Sequence, residues 1–198
     1  MTALEWVQSQ SAPEPSAEVY CPTRDVATAR AQKVRSLPSV VALGADIART
    51  LTVVLSELAD NCFDHNLGNF RDVTGCWLEV HNESGCVRAI VADRGQGLLA
   101  TLKKVRTDVS DDEHAIQLAF RGGVSGRAPE KRGNGLRFIW NTFNREMKGT
   151  QLRYYSGTAR LEVSSPTPND ALGANIQRTS APVYGVYAEM VFRHKTDV

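Results

Sequence analysis

Apolar positions along the chain change their period several times, and each change predicts an element. From residue 40 to about 66 the period is helical, with Leu51, Leu55, Leu58 and Cys62 on one side and Gly44 able to split the run. Residues 136–147 carry a second amphipathic helix, and 111–120 a shorter one. Runs of strand length stand at 77–81 and 87–92, joined by the turn residues Asn82-Glu83-Ser84-Gly85. Further strands are predicted at 151–155, 158–163, 175–179 and 185–192, with a loop over 164–173 around Pro166, Pro168 and Gly173. Near the start, residues 17–21 read as a short strand closed by Pro22, and Asp25 as the cap of a helix reaching about Leu37. Residues 1–16 hold two prolines and acids without a basic residue, which predicts a mobile tail with Trp6 as a stray aromatic. Together these elements predict one α+β domain over 17–195 and a flexible tail over 1–16.

Composition narrows the class. The chain has 198 residues, 42% of them hydrophobic and 23% charged, enough to bury a sizeable core. Twenty-three basic residues against 22 acidic ones leave a net charge of +1, which argues against a general electrostatic nucleic-acid binder. No apolar run approaches the roughly 20 residues of a membrane helix, and the first residues lack the pattern of a secretory signal. A cytoplasmic protein is expected. Cys21, Cys62, Cys76 and Cys86 match no zinc-ligand spacing and are expected as buried small hydrophobes; the four histidines are equally scattered.

Three segments carry candidate chemistry. In the 40–66 helix, Glu57, Asn61 and Asp64 recur at i, i+4 and i+7 with His65 on the edge, forming a polar stripe beside the apolar face. An amide oxygen there suits Mg²⁺, and a carboxylate one turn away can orient or deprotonate a nucleophile. The strand at 87–92 runs into Asp93-Arg94-Gly95-Gln96-Gly97, where an acid can accept from an exocyclic amine and glycines let backbone lie against a flat ring. Arg94 and Gln96, between them, are expected to point to solvent or a lid. Finally, Lys131-Arg132-Gly133-Asn134-Gly135-Leu136 opens the last helix, and backbone N–H groups at such a start bind anions. Arg121, Arg127, Lys131 and Arg132 there face only Glu130. Each segment alone is a common feature; helix, strand end and helix start in this order are specific.

Over about residues 17–192 the chain resembles the GHKL ATPases, the superfamily that includes gyrase, the histidine kinases and MutL. Glu57-Leu-Ala-Asp-Asn61-Cys-Phe-Asp64-His65 is similar to its N box, Asp93-x-Gly95-x-Gly97 to its first glycine box, and Gly133-x-Gly135-Leu136 to its second. The resemblance implies the Bergerat fold: a two-layer α+β sandwich with a mixed, largely antiparallel sheet and helices on one face. It implies ATP and Mg²⁺ as ligands, with Asn61 holding the metal, Asp93 the adenine amine, Gly95 and Gly97 the base pocket, and Lys131, Arg132, Gly133, Asn134, Gly135 and Leu136 the phosphates. A mobile lid would span roughly residues 98–132. Glu57 would be the catalytic base. Asp64 matches the gyrase and MutL branch, whereas His65 is shared with the anti-sigma and histidine kinase branches.

Retention of Glu57 and the absence of histidine from residues 1–56 point away from a histidine kinase, because an imidazole needs no base to attack phosphorus whereas a hydroxyl does. The length resembles that of the stand-alone anti-sigma-factor kinases. The expected activity is therefore serine/threonine phosphorylation of a small STAS-like or sigma-factor-regulating partner. The alternatives are a nucleotide-gated protein-binding switch and an ATPase subunit. Small members of this group often dimerise, so the resemblance also allows a homodimer. Trp77 and Trp140 are expected in the core, and Tyr154 and Tyr155 on opposite sides of one strand.

Overall fold

The computed structural model describes residues 1–66, 68–83, 85–122 and 135–193. The fold is α+β, with seven helices and a five-stranded antiparallel sheet among those residues. The strands are β1 (Tyr20–Cys21), β2 (Cys76–Glu83), β3 (Cys86–Asp93), β4 (Gln151–Ser164) and β5 (Ile176–Arg193), in the order β1-β2-β3-β5-β4. All four pairings are antiparallel, in line with the two-layer α+β sandwich and largely antiparallel sheet expected. The β2–β3 hairpin is in register from Cys76 opposite Asp93 to Glu83 opposite Cys86.

The strands expected at 151–155 and 158–163 are one, as are those at 175–179 and 185–192. Gly157 and Gly185 mimic strand ends in the sequence, but the first sits in a register shift of a continuous β4 and the second inside β5. The loop expected at 164–173 contains a short 3₁₀ turn over Asn169–Ala171, followed by another over Gly173–Asn175.

On one face of the sheet lie α2 (Arg24–Val34), α4 (Ala45–Asp64), α5 (Gly97–Lys103), α6 (Asp112–Arg121) and α7 (Gly135–Glu146), with the four-residue α3 (Pro38–Val41) before α4. Thr23 rather than Asp25 caps α2: its hydroxyl accepts from the Val26 amide, while Asp25 occupies the first turn, where its charge favours the helix dipole. Asp111 caps α6 through the His114 amide at 2.8 Å. The main core joins Leu51, Leu55 and Leu58 of α4 to Val87, Ala89 and Val91 of β3 and to Ile139 and Phe143 of α7.

Successive β3 residues face opposite sides of the sheet. Ile90 and Ala92 therefore need cover on the second face, and the N-terminus supplies it. Residues 3–8, expected in a mobile tail, form α1 (Ala3–Gln8), capped by a reciprocal Thr2–Glu5 pair. Trp6 is fully buried against Trp77, Ile90, Ala92 and Tyr187. Helices are thus not confined to one face.

Arg94 is also corrected. Instead of facing solvent it is fully buried, its fork gripping Asp72 with Nε–Oδ1 at 2.6 Å and Nη2–Oδ2 at 2.7 Å, and it donates to the Trp6 carbonyl. The bond to the Trp6 carbonyl ties the N-terminal helix to the chain just after Asp93, and the ion pair with Asp72 holds the guanidinium in place. Arg94 in turn holds the Asp72 carboxyl below the usual range.

Candidate functional site

Between the sheet and the helices lies a cleft that opens to solvent. Val91, Val186 and Ala188 face it from the sheet, Leu58 and Cys62 from α4, and Leu98 and Leu102 from α5. Besides Thr101 of α5 and Tyr154 of β4, the residues expected from the sequence reach it from three distant segments. Asn61 and His65 come from the end of α4, Asp93 from the end of β3, and Gly135 with Leu136 from the start of α7. An apolar cleft with a few converging polar groups is the usual form of a small-ligand site.

Asp93 is 2% exposed. Burial pushes its carboxyl up to about 6, against hydrogen bonds from Gly95, Cys62 and Asn66 that favour the ionised form. Two of these go to one oxygen: Asn66 Nδ2 donates at 2.9 Å and the Gly95 amide at 2.8 Å to Oδ1. Asn66 thus locks the acid, and its own Oδ1 accepts from the Gln96 amide at 3.0 Å. Gln96 returns the tie, its side chain donating to the His65 carbonyl at 2.6 Å. The helix end and the strand end are stapled together.

The glycines act differently from one another. A Cβ on Gly95 would stand 1.9 Å from Asn66 Cγ, and Gly95 is not among the lining residues; it makes room for Asn66 rather than for a flat ring. Gly97 does line the cavity, and Ser156 Oγ accepts the amide of the next residue, Leu98, at 2.9 Å to start α5. Gly185 on β5 has φ +93°, and a Cβ there would lie 2.2 Å from the Asp93 carbonyl oxygen and 2.7 Å from its Oδ1. Only a glycine lets β5 pass the acid so closely.

Glu57 sits at the rim, where α7 begins. A Cβ on Gly135 would stand 3.1 Å from Glu57 Oε2 and 3.4 Å from Asn61 Nδ2, so both side chains reach the start of α7. No hydrogen bond or ion pair engages the Glu57 or Asn61 side chain among the described residues. Burial, then the charge of Asp60, raises the Glu57 carboxyl. His65 shifts the other way: burial and the nearby Lys104 lower it and favour the neutral ring.

Other expected residues separate from this group. Asp64 pairs with Arg24, beside Asp60, and does not line the cavity. Lys131, Arg132, Gly133 and Asn134 lie outside the described residues. Residues 98–122, expected as most of a mobile lid, instead contain α5 and α6, which bury Leu102, Ile116 and Phe120 in the main core; 123–132 lie outside the described residues.

Asn66, Tyr154 and Gly185 are site residues that the sequence reading passed over. Asn66 follows directly on the polar stripe, a signal that could have found it. No such local signal marks the other two. Cys21, Cys62 and Cys76 are buried free thiols and Cys86 is half-buried; no group of three or more His, Cys, Asp or Glu side chains among the described residues could hold a metal ion. No helix among them is long and apolar enough to cross a membrane. Comparisons with family models, with curated proteins and with solved structures find no match to this chain.

Proposed function

We propose that the chain binds ATP and Mg²⁺ as a GHKL-type protein with a Bergerat fold, and that it is an anti-sigma-type serine/threonine kinase of a small STAS-like or sigma-factor-regulating partner in the cytoplasm. The observation that carries this reading is the convergence of Asn61, Asp93 and Gly135, from a helix, a strand end and a helix start, on one cavity. An ionised Asp93 at its floor suits an amine donor on a flat base, and the surrounding valines, leucines and alanine suit the ring faces.

At the other end, Asn61 and Glu57 are adjacent and uncommitted, which fits groups awaiting a ligand. A lone carboxamide is enough protein for Mg²⁺, which takes most of its oxygens from phosphates and water. Once bound, the metal would offset charge on the phosphates. Glu57, its carboxyl already raised by burial, would accept the proton of an attacking serine or threonine hydroxyl. A raised pKa makes it a stronger base than an exposed carboxylate and supports chemistry beyond binding.

The test is transfer of radiolabelled γ-phosphate to candidate STAS-like partners. Wild type should label the partner, and Glu57→Gln should reduce the rate by about 10²- to 10⁴-fold, the usual share of a general base. Undiminished transfer by the variant would remove Glu57 from the chemistry. Partner binding that depends on ATP without transfer would replace the kinase by a switch, and phosphate release without a partner by an ATPase.

A further inference from the structure

Tyr154 stands out among the buried tyrosines. The Tyr187 hydroxyl reaches Glu189 Oε2 at 3.1 Å, and that of the half-buried Tyr20 reaches the Thr74 carbonyl at 2.6 Å. Tyr154 is 3% exposed, yet no hydrogen bond is made to its hydroxyl among the described residues. The hydroxyl is not one of the fully enclosed, unpartnered polar atoms of the described residues; it opens onto the cavity and is free to donate to what the cavity holds. Its ring packs edge-on against Phe120, 5.0 Å between centroids, and the side chain lines the cavity with Asp93 and Cys62. Burial, then the proximity of Asp93 and Cys62, pushes its pKa well up, so it keeps its proton and stays a donor.

Oδ1 of Asp93 is taken by Asn66 and Gly95 and the Cys62 thiol also bonds the carboxylate, so Oδ2 is the acceptor left for the cavity. A donor and an acceptor therefore share one floor. We propose that Tyr154 determines specificity: its hydroxyl donates to the ring nitrogen beside the exocyclic amine that Asp93 accepts, so the pair reads an amine next to an acceptor nitrogen. This rests on the nucleotide reading above and adds to it the edge by which the base is chosen. Adenine presents that edge. A 6-oxopurine presents a carbonyl beside a ring N–H, which sets oxygen against the carboxylate. Discrimination built on such mismatched polar groups is strong, because the wrong base leaves buried groups unpaired.

The experiment is calorimetric titration of wild type and Tyr154→Phe with ATP, GTP and 1-deaza-ATP, which lacks the ring nitrogen in question. Wild type should bind ATP roughly three- to tenfold more tightly than 1-deaza-ATP, the worth of one neutral hydrogen bond, and GTP far more weakly. Tyr154→Phe should lose that factor for ATP and no longer separate ATP from 1-deaza-ATP. Its ligand-free melting temperature should be equal or higher, since the phenyl ring keeps its packing and drops an unpaired hydroxyl. Equal wild-type affinity for ATP and 1-deaza-ATP would overturn the proposal, even if the variant failed to fold. So would discrimination persisting in the variant. Either result would leave the nucleotide site standing, whereas wild type that binds none of the three would overturn the nucleotide reading itself.

Discussion

Replacing Asp93 by Asn should stabilise the empty protein and disable it as a receptor. Burial raises the carboxyl from its ordinary value to about 6. At 1.36 kcal/mol per unit, a shift of about two units means that the ionised group costs the folded state on the order of 3 kcal/mol at pH 7. The sign follows from the raised value: the folded state holds the proton more tightly than the unfolded one. The cost is absent below about pH 4, grows between about 4 and 6, and is complete above. Asparagine keeps an oxygen for Asn66 and Gly95 and carries no charge, so its advantage approaches about 3 kcal/mol at pH 7.5 and shrinks by about 1 kcal/mol at pH 5. Urea unfolding of both proteins at pH 7.5, 6 and 5 measures this directly. Binding should move oppositely. The two donors on Oδ1 hold the amide oxygen where it is and turn the NH₂ toward the cavity, donor against donor, at a cost of tenfold or more in ATP affinity. A variant less stable than wild type at pH 7.5, or a stability gap that ignores pH, would refute the buried charge.

Two further substitutions probe the frame around the acid. Trp6→Ala should cost about 3–5 kcal/mol in urea unfolding, because it uncovers Trp77, Ile90 and Tyr187; a loss below about 1 kcal/mol would mean that α1 does not hold the second face of the sheet. Gly185→Ala should cost at least about 2 kcal/mol, from its positive φ and from the contact with the Asp93 backbone. The amide resonances of residues 93–96 should shift with it, and an unaltered spectrum would contradict the close approach.

Residues that act within one element were legible in the sequence. The leucine spacing of α4, the helical run of α6 and the β2–β3 hairpin need only local pattern. So did the polar stripe of Glu57 and Asn61, because periodicity alone puts them on one side of a helix. What failed depends on partners far along the chain. Trp6, Ala3 and Val7 look like a tail until Ile90 and Ala92 are known to face an otherwise bare side of the sheet. Arg94 looks like a polar spacer until Asp72 and the Trp6 carbonyl close around it. Gly157 looks like the end of a strand because nothing local reveals that its missing side chain makes room for Asp112, whose Oδ1 would lie 2.3 Å from a Cβ. The same limit hid Gly185 and Tyr154, whose roles exist only against Asp93.

On the proposed reading, Asn61, Asp93 and Gly135 surround one ligand, a purine triphosphate with Mg²⁺. Titration of ATP into wild type and Asn61→Ala, each with and without Mg²⁺, tests it most directly. Wild type should bind ATP more tightly with the metal, and Asn61→Ala should retain binding while losing most of that difference. Wild-type protein that takes up no ATP, or a variant whose response to Mg²⁺ equals that of wild type, would contradict it.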